Sequence, residues 1–268
     1  MMNLVVAAAA LAAASPQAPP AKSAEPAMFV VRDADTTVYV FGTFHALDGR
    51  TDWFNSRVRA AFEQSGELVL ETVVPEAPIA RPGFTGVHPR QFNGLPVAPS
   101  ASFLATTRMA INAGKSQGMS VDNGADMVLR RAAEMTGKQV QGLETLESQL
   151  NMFTRMPPAA QVAPRAGAPV EAARPMESLS RAMADMQAAW KRGDQSVFVH
   201  MLGQLEQSSP DTYRMMFTDR NQRWADWIAG RMQTPGVVFV AVGAGHLAGK
   251  DSLLVRLAQQ GIPSTRLN

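Results

Sequence analysis

The chain has no cysteine among its 268 residues. This absence excludes disulfide bonds, thiolate nucleophiles and thiolate metal ligands. Lys and Arg occur without a run, and the formal net charge is only +2, so a nucleic-acid-binding surface is not expected. The sequence also lacks a G-x-S-x-G elbow, a P-loop and a G-x-G-x-x-G fingerprint. These absences disfavour a serine hydrolase and a nucleotide-binding protein.

Residues 1–24 show no pattern of a folded domain. Met1 to Ala14 is almost entirely Met, Leu, Val and Ala, and the small, proline-rich segment Ser15 to Pro20 follows. We expect residues 1–24 to be a signal peptide and flexible leader, because the apolar run is too short to span a bilayer. Export would make the protein periplasmic or secreted, with no stable membrane anchor after cleavage.

Two stretches near opposite ends of the chain share one pattern, an apolar strand followed by Gly-x-x-His. The first runs from Val38 to His45 and the second from Val237 to His246. With 20 glycines in 268 residues and four histidines, the number of histidines expected by chance to have glycine three positions before them is roughly 0.3, whereas the sequence has two. Glycine lets the chain turn sharply where a strand stops. Each histidine would then follow the carboxyl end of a strand, where open α/β sheets bind ligands. The alternative is two ordinary histidines in tight turns.

Hydrophobic patterns predict an α/β (α+β) fold whose small mixed or parallel sheet is built from both chain ends. A helix from Trp53 to Gln64 connects two of the strands, so these two should be parallel and Glu71 should emerge at the same sheet edge as His45. The predicted strands are Met28–Arg32, Thr36–Phe41, Leu68–Thr72, Gln139–Leu143 as a third core strand, Val237–Gly243 and Ile262–Leu267.

The middle of the chain predicts a large helical insertion, about residues 101–232, within a single domain over residues 28–268. One helix should run from Gly124 to Thr136, with Met127 and Met135 among its apolar residues. Residues 74–100 read as a long loop. Residues 157–175 are rich in Pro and Ala and cannot bury a core, so we expect them to be disordered.

The residue types at the predicted sheet edge are those of a catalytic metal site. His45, His246 and Glu71 supply two imidazoles and a carboxylate, and three protein ligands leave a coordination position open for water or substrate. Such a set suits one divalent metal, Mn, Co, Zn or Fe, without choosing among them. Glu71 has two alternative roles, as a general base or as an ordinary salt-bridge partner.

Four further residues are candidates to line this site. Gly42 and Gly243 begin the two Gly-x-x-His turns, and Arg220 and Asn221 open the helix before the last strand. Arg220 could clamp a substrate carboxylate or stabilise an oxyanion. The alternative, which the residues alone favour, is a helix capped by Asp219 with neighbours at the surface. The two remaining histidines, His88 and His200, belong to no motif.

These motifs resemble the TraB/GumN family, which also includes the Tiki-type proteins. The elements that carry the resemblance occur in the family's order and span most of the chain from residue 39 to residue 247. They are Tyr39–His45, Leu68–Glu71, Gly142–Thr145 with Glu147 and Gln149, Ala189–Trp190 with Gly193–Asp194, Asp219–Asn221 and Val242–Leu247. The resemblance implies a divalent-metal site at His45, His246 and Glu71, with Arg220 and Asn221 lining it, and metal-dependent protease activity in the Tiki branch.

Three functions follow as expectations. The leading one is a periplasmic, metal-dependent hydrolase, a peptidase that acts on a peptide or protein substrate. The second is a non-catalytic envelope protein of the same family that binds or inhibits a peptide or signalling molecule. The third, a structural helper of envelope polysaccharide assembly, is suggested only by the GumN resemblance.

We predict that replacing residues 157–175 with a short Gly/Ser linker leaves the thermal unfolding midpoint unchanged. Ordering a backbone costs about 1–2 kcal/mol per residue, and this composition offers little apolar surface to offset it. Thermal unfolding of the two proteins checks this. A large fall in the midpoint of the shortened protein would mean that the segment packs on the domain.

Overall fold

The carboxyl edge of one mixed β-sheet organises the fold. The computed structural model describes residues 23–73, 109, 111–155 and 175–267. Within them, six strands form a single sheet in the order β4-β3-β5-β2-β1-β6. The strands are β1 (Met28–Arg32), β2 (Thr36–Thr43), β3 (Glu67–Thr72), β4 (Gln139–Glu144), β5 (Gly236–Gly243) and β6 (Thr265–Leu267).

The four strands that precede the candidate site residues are parallel. β5 pairs in parallel with β2 on one side and with β3 on the other, and β3 pairs in parallel with β4. β1 runs antiparallel to both β2 and β6. The sheet is therefore mixed and is built from both ends of the chain, which confirms the predicted fold. β2 and β3 are parallel as expected, but β5 lies between them, so the βαβ unit skips one strand.

Eight helices flank the sheet in the described part of the chain. They are α1 (Ser56–Gln64), α2 (Ala125–Met135), α3 (Leu146–Arg155), α4 (Pro175–Lys191), α5 (Ser196–Ser208), α6 (Pro210–Tyr213), α7 (Asp219–Arg231) and α8 (Leu253–Gln259). A π-helical turn, Arg214–Thr218, joins α6 to α7. Residues 111–116 are also helical. No helix in these segments is long and apolar enough to cross a membrane.

Side chains from alternate positions of the strands form two cores, one on each face of the sheet. On the first face, Phe41 and Phe239 pack with α1, α2, α4 and α5. On the second, Val240 packs with Trp224 of α7 and Leu257 of α8. Helices cover both faces of the sheet. Within the described residues, the carboxyl edge of the parallel strands is not covered in this way, and the loops that follow these strands lie there.

The start of α1 differs from the sequence prediction because of a cap. The side chain of Asn55 accepts hydrogen bonds from the N–H groups of Arg57 and Val58, which fixes the helix start at Ser56 rather than Trp53. Trp53 is instead buried in the first core, where it stacks on Phe41 with ring centroids 5.6 Å apart.

Two predictions for the middle of the chain are wrong. β4 is an edge strand and is half-exposed rather than part of the core, because no described strand covers its outer side. Met135, expected on the apolar side of α2, is 87% exposed, since the buried stripe of that helix is Ala125, Leu129 and Ala133. Residues 1–22, the predicted loop 74–100 and residues 157–174 lie outside the described residues.

Trp190 of α4 ties the helical layer to the first Gly-x-x-His strand. Its side chain is buried and packs across Phe41 and Trp53, with ring centroids 6.5 and 6.0 Å away. The indole N–H donates a hydrogen bond to the carbonyl of Gly42 at 2.8 Å. The strand end that leads to His45 is therefore held in place from α4.

We predict that Trp190→Phe lowers the free energy of unfolding by about 1–3 kcal/mol, because it leaves the buried carbonyl of Gly42 without a donor. Urea unfolding measures the change. Trp227→Phe is the matched control, because it makes the same replacement at a half-buried position of α7. Equal losses in the two variants would contradict a specific role for the Trp190 hydrogen bond.

Candidate functional site

The three predicted ligands converge on Gly243 at the carboxyl edge of the sheet. A Cβ placed on Gly243 would lie 3.1 Å from Oε1 of Glu71, 3.4 Å from Nε2 of His45 and 3.7 Å from Cδ2 of His246. The structure thus brings the three side chains together at this edge, and their role as metal ligands stays a prediction. Glycine fits this position because a Cβ would come too close to Oε1 of Glu71 and would fill the space between the three side chains.

Gly42 has a related steric role. A Cβ on Gly42 would lie 3.3 Å from the Cα of Ala244, so the two Gly-x-x-His turns approach each other closely at this point. β2 and β5 are neighbours, with Thr43 opposite Gly243 in the register. The two histidines therefore leave adjacent parallel strands at the same height.

Glu71 is a nearly buried carboxylate with strong donors on both oxygens. Oε1 accepts from the N–H of Gly243 at 2.6 Å and lies 3.9 Å from Nε2 of His246. Oε2 accepts from Nη2 of Arg220 at 2.8 Å. Burial would raise the pKa of Glu71, but the neighbouring His246, Arg220 and His45 and the hydrogen bond from the Gly243 N–H outweigh burial and lower this pKa from 4.5 to about 2. Glu71 is therefore ionised at neutral pH.

His246 is buried between two aromatic rings. The ring centroids of Trp224 and Phe217 lie 4.4 and 4.8 Å from its imidazole. Burial lowers the pKa of His246 to about 3, although the charge of Glu71 opposes the change. A neutral His246 carries no charge, so Arg220 and His45 are the cations that keep Glu71 ionised.

Hydrogen bonds fix the tautomer of His246. The amide N–H of Asn221 donates to the carbonyl of Asp251 at 2.8 Å, which turns Oδ1 of Asn221 toward the imidazole. Nδ1 of His246 donates to this oxygen at 2.7 Å. Nε2 consequently carries the lone pair, and it accepts from Nη1 of Arg220 at 3.2 Å. The predicted site-lining residue Asn221 thus orients a predicted ligand.

Arg220 is the buried centre of the site rather than a surface residue. Its Nε contacts both oxygens of Glu144 at 3.1 and 3.0 Å, and Nη1 also lies 3.4 Å from the carbonyl of Met216. Together with Glu71 and His246 these contacts use four of its five N–H groups. The surface alternative is wrong, and so is the cap at Asp219, because α7 continues directly from the helical Thr218.

His45 differs from His246 because its side chain is 61% exposed. Its Nδ1 lies 3.2 Å from Oδ1 of Asp126, in the first turn of α2. Partial burial of the ring lowers the pKa of His45, but the hydrogen bond and charge of Asp126 and the charge of Glu71 outweigh it. The pKa of His45 therefore lies above its ordinary value of 6.5. Solvent therefore reaches the site at His45.

A model of the TraB/PrgY/gumN family matches residues 27–82 and 86–266. The chain belongs to the TraB/PrgY/gumN family. No curated protein and no solved structure matches the chain. The match includes every element that carried the resemblance in the sequence, and both Gly-x-x-His turns.

Three residues of this TraB/PrgY/gumN site were missed from the sequence. Glu144 lies at the carboxyl end of β4 as Glu71 lies near the carboxyl end of β3, so the same pattern of an acid at a strand end could have identified it. Phe217 lies in the π-helical turn before α7, a feature that is common at functional sites but has no sequence signal. Asp126 belongs to a helix distant in sequence. Of the other histidines, His200 on α5 bonds only Gln204 in the part of the chain described, and His88 lies outside it.

The donors of this site suit a divalent metal after two changes, the loss of a proton from His45, whose pKa is raised, and a movement of Arg220. Each histidine has Nδ1 held by an oxygen, as metal-ligating histidines usually do, and Nε2 on the side of Gly243. Glu71 supplies an ionised oxygen beside them. Arg220 must leave Nε2 of His246 before an ion can bind there. Consistently, among the described residues no three His, Asp or Glu side chains are already arranged to hold a metal ion.

We predict that Arg220→Met destabilises the protein by about 3–5 kcal/mol, because it leaves the buried carboxylate of Glu71 without its bonded cation and leaves Glu144 with only the exposed Arg223. Arg223→Met is the matched control. Arg223 contacts the same Glu144 at 3.2 Å, but its side chain is 60% exposed, so its loss should cost less than about 1 kcal/mol. Urea unfolding at neutral pH measures both, and equal losses would contradict this account of the network.

The pH dependence of the Arg220→Met loss has a defined sign. Because the pKa of Glu71 is lowered in the folded protein, its stabilising contribution is complete above about pH 4.5 and disappears as the pH falls toward 2. The difference in unfolding free energy between the wild type and Arg220→Met should therefore narrow over that range. A difference that does not change with pH would exclude ionised Glu71 as its source.

Proposed function

We propose that this protein is a divalent-metal-dependent hydrolase, a peptidase of the periplasm or of the secreted fraction. The observation that carries the proposal is the meeting of His45, Glu71 and His246 around Gly243 at the carboxyl edge of the sheet. A metal ion bound there would polarise a substrate carbonyl and lower the pKa of a bound water, which is what amide hydrolysis requires. The metal would be Mn, Co, Zn or Fe.

The side chains of the site would have different roles in this reaction. His45 Nε2, Glu71 Oε1 and His246 Nε2 are the atoms that would hold the ion. Glu71 stays ionised beside Arg220 and so is also able to accept a proton as a general base. Arg220 keeps one N–H without an acceptor in the described residues, on Nη2, which limits it to a single contact with an oxyanion.

The substrate side of the site is the side of His45. Its imidazole is the exposed member of the three, whereas His246 and Arg220 are covered by Phe217 and Trp224. A peptide would therefore approach over His45 and Gly243, with its carbonyl directed toward the buried part of the site. The apolar N-terminal run supports export, and the absence of cysteine is compatible with an oxidising compartment.

A second function is favoured by one specific observation. The hydrogen bonds from Arg220 to Glu71 and His246 satisfy the site internally, without any added cation. A protein that only binds a peptide or signalling molecule needs no more than this. The non-catalytic alternative therefore predicts a metal-free protein that retains bound peptide intact.

Metal analysis of purified wild-type protein beside His45→Ala and His246→Ala tests the proposal. We expect close to one divalent ion per wild-type chain, and loss of both the ion and peptide hydrolysis in the two variants, with folding retained. His200→Ala is the control, because it removes an exposed histidine of α5 that contacts no member of the site. A wild type that takes up no Mn, Co, Zn or Fe and leaves peptides uncut would instead support the binding protein.

A further inference from the structure

The imidazole of His45 is exposed, yet it is held in one orientation. Its side chain is 61% exposed, and among the described residues its hydrogen bond is the one from Nδ1 to Oδ1 of Asp126 at 3.2 Å. An exposed side chain keeps its rotational freedom unless a partner restrains it. Asp126 is therefore the polar group that can restrain this ring.

The backbone that carries Asp126 is hydrogen-bonded to the turn that carries His45. The N–H of Ala125 donates to the carbonyl of Phe44 at 3.0 Å, and Leu47 and Ser120 form an antiparallel bridge with bonds of 3.1 and 2.9 Å. A side chain on Gly124 would overlap the carbonyl of His45, so the two backbones touch. The first turn of α2 and the His45 turn thus have one fixed relative position.

His246, the second histidine of the site, is also oriented by a hydrogen bond from Nδ1 to a side-chain oxygen, but the acceptor differs. Nδ1 of His246 donates to the neutral amide oxygen of Asn221, whereas Nδ1 of His45 faces a carboxylate. In both cases an oxygen behind the ring leaves Nε2 on the side of Gly243 and Glu71. The carboxylate stands behind the exposed ring, where a neutral acceptor would compete less well with water.

We propose that Asp126 is a positioning residue for His45. Its carboxylate accepts the Nδ1–H and so presents the Nε2 lone pair to the space beside Glu71 and Gly243. What His45 Nε2 binds there rests on the proposed function, but the tautomer and orientation of the ring are properties of the metal-free protein. Loss of such a partner typically weakens metal binding by roughly 10- to 100-fold.

The competing explanation is that Asp126 only stabilises α2. An acid in the first turn interacts favourably with the helix dipole wherever it points. Asp122 is a control for this effect, because it is an exposed acid in the 3-10 turn just before α2 and makes no hydrogen bond to His45. Asp122→Asn thus removes a similar charge from the same helix end without touching the site.

The first measurement is the tautomer of His45 in the metal-free protein. Long-range 1H–15N spectra report which ring nitrogen carries the proton, and four histidines in the chain make assignment by substitution practical. At a pH where the imidazole is neutral we expect Nδ1–H in the wild type, in Asp122→Asn and in Asp126→Asn, whose amide oxygen still accepts. Asp126→Ala should shift to the Nε2–H form. Retention of Nδ1–H in Asp126→Ala would overturn the proposal.

The second measurement is the affinity for Zn, Mn or Co alone, by titration calorimetry. We expect Asp126→Ala to bind roughly 10- to 100-fold more weakly than the wild type, with Asp126→Asn closer to the wild type and Asp122→Asn equal to it. Equal affinity of Asp126→Ala and the wild type would overturn the proposal. If the wild type binds none of these metals, the proposed function fails, while the tautomer still decides the role of Asp126.

Discussion

The site depends on one buried cation between two buried carboxylates. Arg220 lies between Glu71 and Glu144, and the side chains of all three are at most 12% exposed. Removing such charges from water costs several kcal/mol per ion, which their mutual attraction repays only with good geometry and few unpaired donors. Here the guanidinium group lies at hydrogen-bond distance from both carboxylates, so the attraction among these three side chains offsets the free energy of removing them from water.

This ion network determines where four separate parts of the chain lie. Glu71 and Glu144 lie at the carboxyl ends of the parallel strands β3 and β4, Arg220 lies in the first turn of α7, and His246 follows β5. The network therefore fixes α7 against the carboxyl edge of the sheet, and α7 in turn brings Asn221 and Trp224 to His246. The π-helical turn before α7 adds Phe217 to the other side of the imidazole. The contacts that pack α7 against the sheet edge are therefore the same contacts that form the polar site.

The sequence predicted the backbone of this site better than its contacts. Strand patterns placed His45, Glu71 and His246 at one edge because parallel strands connected by right-handed crossovers must end together. Nothing in those patterns indicated that β5 lies between β2 and β3, since strand order depends on side-chain packing across the whole sheet. The burial of Arg220 was also missed, because a single arginine after an acid reads as a surface residue until its partners at distant positions are known. Asp126 is hidden for the same reason.

The position of Arg220 in this network bears on whether the protein is a metal enzyme or a binding protein. Arg220 bonds two of the groups that would hold the proposed divalent ion, the Glu71 carboxylate and the Nε2 lone pair of His246. Arg220 cannot lose its proton, so it yields only by moving, and Glu144 on its far side is the anchor toward which it can withdraw. His45 needs no such rearrangement, because Arg220 does not bond it and its ring is exposed. Of the three groups that would hold the proposed ion, His45 is therefore clear of Arg220, whereas Glu71 and His246 are bonded to it. If the proposed ion binds, its affinity would depend on how readily Arg220 gives up these two contacts, and the Arg220–Glu144 pair would contribute to that balance.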